Sequence, residues 1–463
     1  MTSVLIVTED AIGERMAGPA IRAWNMAGCL AGSHEVVLAT TRSPCDKRSD
    51  RFRVEAAGAD RLADLEGWCE VLVVQGYVLE RHPVLNHSTK ATVVDLYDPL
   101  HFETLELTRH DLEPDRSANV AHSVQVLTHQ LGRGDFFLCA SDKQRDLWLG
   151  HLGALGRLNP DTYRDDPSLR RLIEVAPFGV PEEPPVKSRA VLRGVVAGIA
   201  PDDEVVLWGG GIYDWLDPLT AVRAVDVLRH RRPNLRLVLL GARHPNPAVE
   251  ESGQATAARR ESAALSLTGS HVFFHDDWVP YADRHEYLLE ADIGISLHVE
   301  HLESAYSFRT RVLDYLWAGL PIVATAGDGF AEVIAGEDLG AVVAGGDPAA
   351  VAGALQRLLG DTQVRAACGI RAAAVARRYA WPVALAPLVA FCAEPRRAAD
   401  SPRWDDQAEP TPAEPMPAEP GVSAEGWRQD LRIVKALYHE GGIGAVAGGV
   451  RSRWRRRHPH RSW

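Results

Sequence analysis

Residues 301–325, HLESAYSFRTRVLDYLWAGLPIVAT, carry the decisive pattern of the chain. A β-rich apolar run, 293–297, precedes them, and a second, 322–325, closes them. Between the two lies a helix-length amphipathic stretch, 307–318, whose inner face ends at Gly319. Strand, helix and parallel strand in this order form the unit of a doubly wound sheet. A helix that starts at the carboxyl edge of such a sheet offers free N–H groups and a positive dipole end, which suits a diphosphate. Ser307, Phe308 and Arg309 are expected in its first turn. Arg309 and Arg311 can add charge-assisted bonds to an anion. Asp314, about a turn and a half further on, has the reach to accept from ribose hydroxyls. The same residues also describe a surface helix with two solvated arginines and an aspartate.

The alternation continues in both directions. Upstream, strands are expected over residues 4–8, 35–40, 71–75, 92–95, 136–140 and 172–177, with helices near 20–31, 118–131 and 142–152. In the second half, strands fall at 205–208, 235–240, 272–275, 293–297 and 322–325, with helices near 218–231, 281–290, 307–318 and 349–359. Short, continuously apolar strands mark parallel sheets covered by helices on both faces. The stretch 178–189, FGVPEEPPVKSR, is rich in proline and charge and separates the halves. The fold class is therefore α/β, with two Rossmann-like domains facing a cleft. The expected boundaries are 1–180 and 190–375, followed by a terminal helix at 376–392 that packs back toward the first domain.

Composition agrees with an enzyme of this size. The chain has 463 residues, 46% of them hydrophobic and 24% charged, enough for two medium domains. A net charge of −12 argues against a surface that coats nucleic acid, so no specific nucleic-acid partner is expected. The six cysteines are dispersed with no CxxC pair and no zinc spacing, and read as reduced thiols. Residues 393–426 repeat Ala-Glu-Pro four times and read as a disordered, flexible linker. Residues 427–463 combine an amphipathic segment with a basic tail, nine basic against two acidic residues.

The segments DYLWAGLPIVAT (314–325), EADIGIS (290–296) and GPAIRAWNMAGCLAGSHEVVLAT (18–40) together resemble glycosyltransferases of the GT-B fold, family 4 type. The resemblance runs in order over residues 1–392. It implies a sugar transferase of the hexosyltransferase type, with retention of configuration. The donor, a nucleotide diphosphate sugar, would sit on the second domain and the acceptor mainly on the first. It implies no cofactor and no essential metal, and places the work in cell-envelope or exopolysaccharide assembly. Asp314 occupies the position of the glutamate that contacts the nucleotide ribose in this family. Trp278, Val279 and Tyr281 fall where relatives hold the base, and Gly18 and Gly211 lie in glycine loops that let backbone approach phosphate.

Two departures stand out. The family's EX7E motif calls for an acid eight residues before Asp314, but residue 306 is tyrosine. Glu303 is the nearest catalytic candidate. The Arg and Lys that usually hold donor phosphates are absent from the stretch 211–217, so Arg309 and Arg311 are expected to replace them. On the acceptor side, Asp98 in VVDLYDPLHFE is the preferred contact, against the alternative of a turn residue beside Pro99. Arg22 can face the cleft or solvent. The tail 451–463, with Trp454 and Trp463 among arginines, suits an anionic membrane surface and a lipid-linked or glycan acceptor; a solvated tail and weak nucleic-acid contact remain open. The expected location is cytoplasmic, peripheral at the inner face of the membrane. The alternatives are a nucleotide-sugar epimerase on the same fold and a non-catalytic GT-B scaffold.

Overall fold

A computed structural model describes residues 1–109, 111–241 and 251–401. The linker beyond Ser401, the basic tail and His244, which follows the expected strand at 235–240, lie outside them. The first domain carries β1 (Ser3–Thr8), β2 (Glu35–Thr40), β3 (Arg53–Ala56), β4 (Val71–Gln75), β5 (Ala91–Asp95), β6 (Phe136–Cys139) and β7 (Ile173–Val175). The second carries β8 (Glu204–Trp208), β9 (Leu235–Leu239), β10 (Val272–Phe274), β11 (Ile293–Ser296), β12 (Ile322–Thr325) and β13 (Gly340–Val343). Their orders are β3-β2-β1-β4-β5-β6-β7 and β10-β9-β8-β11-β12-β13, and every pairing is parallel. In each sheet the order reverses beside the first strand, between β1 and β4 and between β8 and β11. That reversal opens a crevice at the carboxyl ends of the strands, where α/β sheets bind ligands.

The strands form because their residues suit burial on both faces. All five residues of β4, VLVVQ, are buried, and so are all four of β11 and β12. Two strands escape the sequence pattern. In β3, RVEA, charged residues alternate on an edge strand. In β13 the apolar run is only Ala341–Val343 behind a glycine, too short for an apolar-run criterion.

The helix expected at 307–318 starts three residues later than the pattern marks. A short helix, Leu302–Tyr306, is followed by an extended Ser307, and the long helix is Thr310–Trp317. The short helix closes on the bond from Ser307 N–H to Glu303 O at 2.8 Å, and the Glu303 carboxylate holds Arg309, the residue just before the second helix. Gly319, at φ 65°, then turns the chain into β12.

One apolar core runs through both domains, from Val4 and Leu138 through Phe178 and Trp381 to Leu207 and Leu316. The chain leaves and returns at one place: Val180 N–H donates to Tyr379 O at 2.9 Å, and Trp381 N–H donates to Val180 O at 3.0 Å. The helix Ala386–Ala393 then lies on the first domain, where Phe391 stacks on Phe136 with centroids 4.7 Å apart.

The chain immediately after residue 393 departs from the expectation of a free linker. Asp400 is fully buried and forms a two-point ion pair with Arg157, 2.8 and 2.9 Å. Asp135, just ahead of β6, takes bonds from Ala398 N–H, Arg397 Nε and Ser401 Oγ. Alanine, arginine and aspartate order themselves here because buried polar partners await them, a signal that hydropathy does not carry. Among the described residues no helix is long and apolar enough to cross a membrane. All six cysteines are free thiols, four of them buried.

Candidate functional site

The two crevices face each other, and the structure gathers most of the singled-out residues there. On the second domain, β8 ends in Gly209-Gly210-Gly211. Gly210 has φ 98°, a conformation that favours glycine, and the turn after β9 packs against it so closely that a Cβ on Gly241 would meet Gly211 N at 3.2 Å. Arg311, in the first turn of the helix Thr310–Trp317, reaches this turn: its Nη2 donates to Gly211 O at 2.6 Å and its guanidinium lies 4.7 Å from the Trp208 ring centroid. Among the described residues no carboxylate pairs with it, and its Nη1 is buried without a partner. Burial, with Arg309 adding repulsion, pulls its pKa down to about 10, so it stays charged at neutral pH. The helix itself has no side-chain cap and no acid in its first turn. Its dipole end and Arg311 therefore offer positive potential with no protein anion spent on it.

Tyr315 fixes this helix to the switch point. Its hydroxyl accepts Gly209 N–H at 2.8 Å and lies 3.0 Å from Leu207 O and 2.9 Å from Ile295 O, at the ends of β8 and β11. The ring rests on Gly294, where a Cβ would come within 2.4 Å of it. Asp314, the next residue back, is paired with Arg284, Nε to Oδ1 2.8 Å. Val279 packs against the main core and Trp278 is half-buried beside it.

Arg309 and Glu303 differ from the expectation. Arg309 spends both ends of its fork on Glu303, Nη1 to Oε1 3.0 Å and Nη2 to Oε2 2.7 Å, with both side chains buried. The fork is thus not available to clamp a diphosphate, and the Glu303 carboxylate is not a free acid. Phe308 is partly buried against the main core, with its ring centroid 4.8 Å from that of Phe330. Ser307 Oγ is buried without a partner in the break between the two helices.

Tyr306 explains what became of the missing acid. Its carbonyl accepts from Gln144 Nε2 at 2.9 Å, its ring contacts Phe102 at 5.3 Å, and Lys143 Nζ lies 5.2 Å from the ring centroid. All three partners belong to the first domain, so the position bridges the cleft.

On the first domain, Gly18 opens the helix Gly18–Leu30, whose start has no side-chain cap. A Cβ at Gly18 would meet only the Tyr97 hydroxyl, at an ordinary 3.7 Å. Arg22 faces neither cleft nor solvent. It is fully buried, paired with Asp95 at 2.7 and 2.8 Å, and it donates to the carbonyls of Ala176 and Pro177. Asp98 stands at the mouth of β5 in the field of Asp95 and Glu303. Burial pushes its carboxyl up to about 7, although the Tyr97 hydroxyl and Arg22 favour the charged form. Glu103, which sequence reasoning noted but did not select, is raised well above the usual carboxylate range by burial and by Asp98 and Glu303. Only its place in the first turn of the helix Leu100–Leu107, the next helix after β5, could have flagged it. Among the described residues no cluster of three or more His, Cys, Asp or Glu is arranged to hold a metal.

Residues 203–361 match the family described as glycosyl transferases group 1. The match lies within the second domain. The chain is 30% identical over 233 residues to D-inositol 3-phosphate glycosyltransferase of Xylanimonas cellulosilytica, covering 47% of this chain and 50% of that one. It is 28% identical over 208 residues to the protein of the same name from Jonesia denitrificans, covering 44% and 46%. It thus spans about half the length of the curated relatives it matches. Among solved structures, sucrose-phosphate synthase from Thermosynechococcus elongatus superposes with a TM-score of 0.59 at 14% identity, over 84% of this chain and 98% of that one. Anabaena HepE in complex with UDP-glucose gives 0.59 at 12% identity, over 84% and 98%. The fold is GT-B, and the group 1 match lies in its second half.

Proposed function

We propose that the protein transfers a sugar from a nucleotide diphosphate donor to an acceptor hydroxyl in the cleft. The observation that carries this reading is Arg311, a partly desolvated cation with no carboxylate partner, beside an uncapped helix start and a glycine turn at the β8–β11 crevice. A buried charge normally has an anion beside it. A donor diphosphate supplies one, and the UDP-glucose complex of HepE on the same fold supports that ligand class. Asp314 then meets the ribose, with Val279 and Trp278 near the base. The bond from the anomeric carbon to the diphosphate oxygen breaks and the acceptor oxygen bonds to that carbon. The leaving diphosphate is stabilised by Arg311 and the helix dipole, without a metal. The acceptor proton passes to the leaving phosphate or to Asp98, whose pKa near 7 suits it to receive one. Family resemblance favours retention; Asp98 placed as a base is the one observation favouring inversion, and proton NMR of the product anomer decides. A lipid-linked or glycan acceptor in envelope assembly, with the enzyme at the inner membrane face, completes the reading.

The test is calorimetric titration with UDP, GDP and ADP of the wild type and Arg311→Ala. Saturable binding of one nucleotide, weakened in the variant, supports the donor site. Absence of binding to all three by the folded protein overturns it and leaves a non-catalytic scaffold.

A further inference from the structure

Arg284 is held at two of its three nitrogens and between two aromatic rings, yet no part of the sugar-transfer reading uses it. Its Nε donates to Asp314 Oδ1 at 2.8 Å and its Nη1 to Tyr281 O at 2.7 Å. The Tyr281 ring centroid lies 3.6 Å from its guanidinium carbon and that of Trp317 4.7 Å. Its side chain is 12% exposed while that of Asp314 is 30% exposed, so the arginine lies behind the carboxylate and the carboxylate faces outward. Among the described residues Asp314 Oδ2 has no hydrogen-bond partner.

We propose that Arg284 is a positioning residue that grips Asp314 by one oxygen and presents the other to the vicinal diol of the donor ribose. The inference rests on the donor reading above. Three physical points carry it. An aspartate is one methylene shorter than the glutamate of the family pattern, so its carboxylate must be aimed from close to its own helix. Rotation of a free carboxylate about its terminal torsion is soft, and a bond to one oxygen fixes the plane and leaves the other oxygen's lone pairs outward. The guanidinium can act as a fixed anchor because its planar fork is engaged at two donors and aromatic rings flank it; a lysine ammonium has no such plane. The pair also cancels the charge of Asp314, which would otherwise repel a diphosphate bound along the same helix.

A purely structural tie between the turn Tyr281–Asp283 and the helix Thr310–Trp317 would weaken every nucleotide equally. A positioning role weakens only those that carry ribose hydroxyls. UDP, GDP and ADP are therefore titrated beside their 2′,3′-dideoxy counterparts into wild type, Arg284→Met, Arg284→Gln and Asp314→Asn. The wild type is expected to prefer the ribonucleotide by about tenfold or more, as for a charge-assisted bond. Both Arg284 variants are expected to bring that ratio close to that of Asp314→Asn, with dideoxy affinity nearly unchanged; the glutamine variant decides if the methionine variant misfolds. Equal losses for ribo and dideoxy ligands, or an unchanged ratio, overturn the proposal while leaving the donor site standing. No binding of any nucleotide to the wild type instead overturns the donor reading.

Discussion

Each domain places one arginine beside its sheet crevice, and the two have opposite surroundings. Arg22 in the first domain meets a carboxylate through two bonds and two carbonyls besides, with no exposed surface. Arg311 in the second meets one carbonyl and the face of Trp208, and keeps a buried Nη1 unbonded. Both helix starts lack a side-chain cap, so the arginines alone carry the difference. One topology thus supplies two crevices, and electrostatic completion by the protein itself separates the closed from the open one. A buried cation whose anion is supplied from within is architecture; one lacking it is what the proposed donor site calls for.

The largest expected effect tests the closed side. Arg22→Ala strands Asp95 in the core and should cost ~3–5 kcal/mol of stability, read by urea denaturation. A variant as stable as the wild type breaks the comparison. On the open side, Arg311→Ala should leave the fold intact, while affinity for the bound nucleoside diphosphate falls about 10–100-fold by calorimetry. Loss of stability without loss of binding would reverse the two roles. Gly294→Ala pushes the Tyr315 ring off β11 and should cost ~1–3 kcal/mol in the melting curve, together with weaker nucleotide binding because the helix of Arg311 moves with Tyr315.

The smallest effect concerns pH. The folded pKa of Asp98, about 7, is raised above the ordinary 3.8, so the folded state holds this proton more tightly than the unfolded chain. Its stabilising contribution is complete below pH ~4 and is lost as pH rises through about 7. Melting temperatures of wild type and Asp98→Asn measured between pH 5 and 8 should therefore diverge, the wild type falling further as pH rises. Parallel curves would place Asp98 in open solvent.

The sheets were legible because their strands are apolar on both faces, and β2, β4 and β12 fall on the residues the pattern marks. What escaped was local chemistry. No spacing rule shows that Glu303 turns its carboxylate onto Arg309 rather than toward a sugar, or that Arg284, at the start of a short helix 30 residues before Asp314, returns to meet it. Gly211 and Arg311 were each singled out, and the bond between them is a tertiary fact. Tyr306 was visible as a departure from the family pattern, but its bridging contacts depend on Phe102, Lys143 and Gln144 of the other domain.

The ion pair between Arg157 and Asp400 joins residues 243 positions apart, with the whole second domain between them. At ~5–20 residues per second of synthesis, a guanidinium destined for the interior waits on the order of 10–50 s for its carboxylate. The first domain is therefore born unfinished at the ribosome. Its interior charge balance is restored only by the chain that follows the second domain, so the order in which the protein is made ties completion of one half to emergence of the other.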